Sequence, residues 1–280
     1  MKRMRIALVA AAAASALALA GCAGGGGGDA TEPAAEETAP TFEAGTTMAE
    51  LAEAGTITVG TKFDQPLFGL VGPSGVPEGF DVEIAKIIAS ELGIIEDNIE
   101  WVETVSANRE PFIENGQVDI VVATYTINDK RKEVVSFAGP YYMAGQSILV
   151  LADNDDIESE EDLVGQNVCS VTGSTPAAKL AEIGAVPVLT DTYTNCLEPL
   201  RSGQVVAVST DNVILAGLAA QNEGEFKVVG EPFTDEPYGI GVALDDTEFR
   251  MWINDVLEAS YEDGRYEEEW NSTAGTILPF

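Results

Sequence analysis

The sequence predicts an α/β protein built of two units in series. Strand and helix signals alternate at the spacing of parallel βαβ units between residues 56 and 123, and the alternation starts again after Leu151. The chain of 280 residues is 45% hydrophobic, enough for one or two compact domains with buried cores.

In the first unit, Met48, Leu51 and Ala52 mark a short helix ahead of Gly55, and residues 56–60 alternate as a strand. Residues 79–93 read as an amphipathic helix: Ile84, Ile87, Ile88 and Leu92 recur at helical spacing, and Gly93 stops it. A strand at 99–104, a helix at 109–115 and a buried strand at 118–123 follow. The second unit reads as a helix at 159–163, a strand at 167–171 and a helix at 176–183. Strands at 186–189 and 205–208 come next, then a helix at 211–221. Thr175-Pro176 is a strong helix start, an N-cap residue followed by proline at the first position. The free amides at such an end bind anions without any side chain.

Charge and composition exclude several functions. Fourteen basic residues against 47 acidic ones give −33, a surface that repels phosphate backbones and anionic headgroups, so nucleic acid is not an expected partner. The chain has no histidine, which removes Ser-His-Asp and Cys-His catalysis and His-ligated zinc. Three cysteines are too few for a four-thiolate site. The acidic runs 153–156 and 158–162 lack the glycine and terminal glutamate of an EF-hand loop and read as a solvated loop entering a helix N-terminus. No metal and no cofactor are expected.

The first residues read as an address. Lys2, Arg3 and Arg5 precede an apolar run from Ile6 to Ala20, too short for a comfortable membrane span of about 20 residues and typical of a secretory signal. Leu19-Ala20-Gly21-Cys22 resembles a bacterial lipobox, which implies removal of 1–21 and acylation of Cys22. Residues 22–46, first Gly-rich and then Pro/Glu/Ala-rich, read as a flexible tether with a reach of about 25–30 Å.

A set of motifs in order then resembles a known family. Gly79-Phe-Asp-Val-Glu-Ile, Arg109 with Gly116-Gln-Val-Asp119, and the run from Thr124 to Arg131 leading to Phe137-Ala-Gly-Pro140 are similar to the polar amino-acid family (family 3) of ABC-importer solute-binding proteins, as are Gly173-Ser-Thr175 and Tyr238-Gly-Ile-Gly-Val242. Gly60–Pro66, Cys169–Pro176 and Pro232–Gly241 further resemble the glutamate-binding lipoproteins of Gram-positive importers. The resemblance covers about residues 47–272. It implies a two-lobe, type II periplasmic-binding-protein-like fold with two hinge crossings, at 145–151 and 238–244. Lobe 1 would then be 47–145 plus 239–280, and lobe 2 would be 146–238.

The resemblance also implies a ligand set. Arg131 would fork the ligand α-carboxylate, as a planar guanidinium suits, with the Thr126 hydroxyl donating to the same group and the Thr124 carbonyl accepting from the ligand amine. Ser174 and Thr175 would grip the α-carboxylate from lobe 2, and Asp211, otherwise a simple helix cap, would pair with the α-ammonium. Lys62 and Arg109 are the candidate cations for an acidic ligand side chain, and Phe63 and Phe80 the candidate walls for its aliphatic part. With Cys22 acylated, Cys169 and Cys196 remain as an even pair in an exported setting, and the resemblance implies a disulfide between them.

The expected function is capture of glutamate outside the cytoplasm, by a protein anchored to the cell membrane through Cys22, and delivery to ABC-importer permease subunits without chemistry. Aspartate, glutamine or another polar amino acid is the alternative ligand, and a dehydratase on the same fold the alternative activity.

Overall fold

The computed structural model describes residues 40–280; the leader, Cys22 and the first part of the tether lie outside the described residues. Helix α1 (Thr47–Ala54) is capped by the Thr46 hydroxyl, which accepts from Ala49 N, and closes on Gly55 in the left-handed region (φ 68°). Strand β1 (Ile57–Thr61) leads into three short strands, β2 (Asp64–Gln65), β3 (Gly69–Val71) and β4 (Pro77–Glu78), which form a small antiparallel sheet of their own. Helix α2 (Phe80–Glu91) buries Ile84, Ile87 and Ile88, as its periodicity predicts. Strand β5 (Ile99–Glu103), helix α3 (Arg109–Glu114), strand β6 (Ile120–Val121) and strand β7 (Val135–Ala144) complete the outward run.

The second half holds β8 (Gln146–Leu151), β9 (Asn167–Val171), α4 (Thr175–Glu182), β10 (Val186–Thr190), α5 (Leu197–Arg201), β11 (Ala207–Asp211), α6 (Asn212–Gln221) and β12 (Phe226–Val229). The chain returns through β13 (Glu236–Ala243) and ends in α7 (Thr247–Asp263) and α8 (Arg265–Ser272).

Two five-stranded sheets result, ordered β5-β1-β6-β13-β7 and β10-β9-β11-β8-β12. In each, three strands run parallel and the remaining two join antiparallel, β13 and β7 in the first, β8 and β12 in the second. Each sheet centres a lobe, and the chain passes between them at Gly145 and over 230–235. The expected return at 238–244 falls inside the first sheet instead: Glu236 already pairs with Ala144, so the crossing precedes it.

Three further boundaries differ from expectation. The strand expected at 118–123 pairs only at Ile120–Val121, because the chain turns off at Thr124, a non-glycine residue at φ 46°. The segment at 159–163 is a single 3-10 turn with a Ser159/Asp162 capping box. Ser174, not Thr175, caps α4: its hydroxyl accepts from Ala177 N, and Thr175 and Pro176 are the first two helical residues.

Phe80 is fully buried in lobe 1, edge-on to Phe68, Tyr266 and Trp270. Burial of such a ring stabilises by about 1.5–3 kcal/mol, and Phe80 is therefore core, not a wall of the cleft as the sequence reading had it. Cys169 and Cys196 are bonded within lobe 2, joining β9 to the turn before α5, with Cα atoms 5.6 Å apart.

Candidate functional site

The parallel strands of both lobes end at a shared cleft, and the lobes are closed on it. Thr126 Oγ1 lies 3.3 Å from Thr175 Oγ1, Arg131 donates to the Gly173 carbonyl at 3.2 Å, and Tyr193 N donates to Asp64 Oδ2 at 2.8 Å. Two glycines permit this approach. A Cβ on Gly217 of α6 would stand 2.5 Å from the Pro66 carbonyl oxygen, and one on Gly173 (φ 79°) 2.9 Å from Ala107 Cα.

Between the lobes lies a small, tightly closed polar cavity. Gln65, Ser106, Arg109, Thr124 and Thr126 line it from lobe 1, and Ser174, Thr175, Pro176, Tyr193, Asp211 and Ile214 from lobe 2.

Part of the lining is cationic. Arg109, 3% exposed, donates through Nη1 to the carbonyls of Ala123 and Thr124 and through Nη2 to Ser106 Oγ, and its buried Nε has no partner. Lys62 is also buried and donates to the same Ser106 Oγ at 3.0 Å. Burial and then the neighbouring Arg109 lower the Lys62 ammonium to about 7. A hydroxyl has two lone pairs and one proton, so Ser106, accepting from both cations, is left with a proton to donate.

Another part is acidic. Asp211 stands at the head of α6 but makes no capping bond. Its Oδ2 accepts from Tyr238 OH at 2.6 Å, while its buried Oδ1 has no partner. Burial, then the charge of Glu236, raise its carboxyl to about 7.

Thr124, also in the lining, is held from three sides. Its amide donates to the buried Asp81 Oδ2 at 2.7 Å, its carbonyl accepts from Arg109, and its hydroxyl lies 3.0 Å from Gln65 Oε1.

Six of the predicted ligand residues thus line the cavity: Arg109, Thr124, Thr126, Ser174, Thr175 and Asp211. Arg131 lines the outer groove instead. Its nitrogens donate to the carbonyls of Thr126 and Gly173 and pair with Glu110 at 3.2 Å, and its guanidinium lies 4.9 Å from the Tyr125 ring centroid. Lys62 reaches the cavity only through Ser106. Phe63 and Phe80 do not line it; Phe63 is half-buried beside the small sheet, where its carbonyl accepts from Val71 N. Ser106, Gln65 and Tyr193 were not anticipated. Ser106 stands three residues before Arg109, one turn away on the same segment, which is the one signal that could have found it. Among the described residues no cluster of three or more acidic, cysteine or histidine side chains could hold a metal, and no helix is long and apolar enough to cross a membrane.

Two α/β lobes closed on a polar cavity, joined by two crossing segments, define a solute receptor of the two-lobe binding-protein class. The chain belongs to the bacterial extracellular solute-binding proteins, family 3, whose model matches residues 57–272. It is 46% identical over 237 residues to the glutamate-binding protein GluB of Corynebacterium efficiens, covering 80% of this chain and 81% of that one. It is 40% identical to the ABC transporter glutamine-binding protein GlnH of Bacillus subtilis, covering 79% and 82%. An ancestral arginine-binding protein bound to glutamine superposes with a TM-score of 0.74 at 36% identity, over 78% of this chain and 97% of that one. These relatives are binding proteins, and this chain is a solute-binding protein, not an enzyme.

Proposed function

We propose that the protein captures L-glutamate outside the cytoplasm and delivers it to an ABC-importer permease, held at the membrane through an acylated Cys22 and the tether of residues 22–46. The observation that carries the ligand assignment is that one cavity presents groups of both charges. Arg109 and a donating Ser106 backed by Lys62 line it, and so does Asp211, with an oxygen that has no partner. A side-chain carboxylate fits the first and an α-ammonium the second, each through charge-assisted bonds that strengthen once closure excludes water. The α-carboxylate would meet the amides at the head of α4, beside Ser174 and Thr175, with Arg131 at the rim. The Thr124 carbonyl would help receive the ammonium. The Cys169–Cys196 bond would stiffen lobe 2 without opposing closure.

The names of the Corynebacterium relatives support glutamate. Glutamine is the second reading, favoured by the names of the glutamine-binding relatives and by the ligand of the ancestral structure. Calorimetry against the twenty amino acids tests both: glutamate should give the tightest binding, and a preference for a basic or aromatic amino acid would overturn the assignment.

A further inference from the structure

We infer that Glu236 is a positioning residue for ligand capture: it sets the direction of the hydroxyl bridge that joins the two lobes and thereby stabilises the closed form. The inference rests on the solute-binding reading and not on the ligand being glutamate.

Glu236 opens β13 and is paired with Ala144, the last residue of β7, so it sits beside both crossing segments. It is 3% exposed, and both of its oxygens are engaged. Oε1 accepts from Thr234 Oγ1 at 3.0 Å, and Thr234 Oγ1 in turn accepts from Gln146 N, the first residue of β8, at 3.0 Å. Oε2 accepts from Thr175 Oγ1 at 2.7 Å, at the head of α4. One carboxylate therefore ties the outward crossing, the return crossing and the lobe 2 helix that faces the ligand.

The direction of the bridge follows from counting protons. A carboxylate only accepts, and a threonine hydroxyl has one hydrogen. Because Thr175 gives its hydrogen to Glu236, the contact between Thr175 and Thr126 is a hydrogen bond only when Thr126 donates. The chain runs Thr126 to Thr175 to Glu236, from lobe 1 through lobe 2 to the crossing strand. The Thr126 hydrogen is then committed across the cleft, and its two lone pairs are what it offers to the cavity, so Thr126 is an acceptor there and not the donor to the ligand carboxylate that the resemblance implied. Without Glu236, Thr175 and Thr126 each hold a hydrogen with no fixed acceptor, and the bridge between the lobes weakens.

The test places a donor and an acceptor dye on opposite lobes and measures the closed fraction by energy transfer, with and without L-glutamate, alongside stopped-flow rates. Glu236→Ala should lower the closed fraction and speed L-glutamate dissociation about tenfold, a loss typical of a hydrogen bond to a charged group, with the association rate unchanged. Glu236→Gln should fall between, since its carbonyl can still take the Thr175 hydrogen while its amide donates to Thr234; it also carries the test if the alanine variant does not fold. Thr126→Val and Glu236→Ala break the same chain, so their combined effect on dissociation should be well short of the sum. An unchanged closed fraction, additive effects, or a lower melting temperature with unchanged dissociation would each overturn the inference. A wild type that closes as expected but ignores L-glutamate would overturn the ligand assignment alone.

Discussion

At the scale of single residues, the proposed function places two buried groups with pKa values near 7 beside the ligand, and they make different predictions. Lys62 is lowered to about 7 by burial and by Arg109, and Asp211 is raised to about 7 by burial and by Glu236. A ligand carboxylate beside Ser106 favours the Lys62 ammonium and raises its pKa in the complex, so glutamate binding takes up a proton and this contribution weakens as pH rises through 7. A ligand ammonium favours the Asp211 carboxylate and lowers its pKa, a contribution that strengthens over the same range. The Asp211 effect is common to every amino acid, whereas the Lys62 effect belongs to an anionic side chain. The preference for glutamate over glutamine therefore isolates Lys62. It should fall between pH 6 and pH 9, by about tenfold for each unit by which glutamate raises the Lys62 pKa. Titrations of both ligands at the two pH values check this, and Lys62→Met should remove the pH dependence of the ratio. A ratio that does not move with pH in the wild type would separate Lys62 from the ligand side chain.

At the scale of elements, α6 shows how packing serves function. Its residue Gly217 faces Pro66 across the closed cleft, where a Cβ would stand 2.5 Å from a backbone oxygen that cannot yield cheaply. Within a helix, alanine for glycine is worth about 0.5–1 kcal/mol of stability, so Gly217→Ala should leave the melting temperature of the ligand-free protein unchanged or higher. Its cost falls on closure: ligand affinity should drop tenfold or more. A variant that binds like the wild type would mean that the two surfaces do not meet in the complex. Some periodic elements were legible in the sequence, α2 from its isoleucines and the parallel strands from their apolar runs, and so was the placing of Asp211 at a strand-to-helix junction; the head of α4 was legible one residue late, at Thr175 instead of Ser174. The small sheet of β2, β3 and β4 was not, because strands of two or three residues carry no period. Apolarity alone could not separate Phe80 in the core from a ring in the cleft. Glu236, Gln65 and Tyr193 acquire their partners at the cleft only when segments more than 50 residues apart approach one another, as Glu236 meets Thr175 across 61 residues of chain and Gln65 meets Thr124 across 59.

At the scale of the whole molecule, the cationic part of the site sits inside a strongly acidic protein. Lys62, Arg109 and Arg131, all buried, belong to a chain whose net charge is −33, so a glutamate anion approaching from outside first meets repulsion. That far field reaches about 30 Å at 10 mM salt and about 8 Å at 150 mM. The contacts made after closure are buried and barely screened. Salt should therefore act on encounter and not on escape, and in the direction opposite to electrostatic steering. Raising ionic strength from 10 to 150 mM should speed glutamate association by roughly three- to tenfold and leave its dissociation rate unchanged. Glutamine, with no net charge, should be nearly indifferent, which controls for any effect of salt on lobe motion itself. Stopped-flow mixing monitored by tryptophan fluorescence reads both rates for both ligands. A glutamate association rate that falls with salt would mean that the three buried cations, and not the acidic shell, govern the field at the mouth of the cleft.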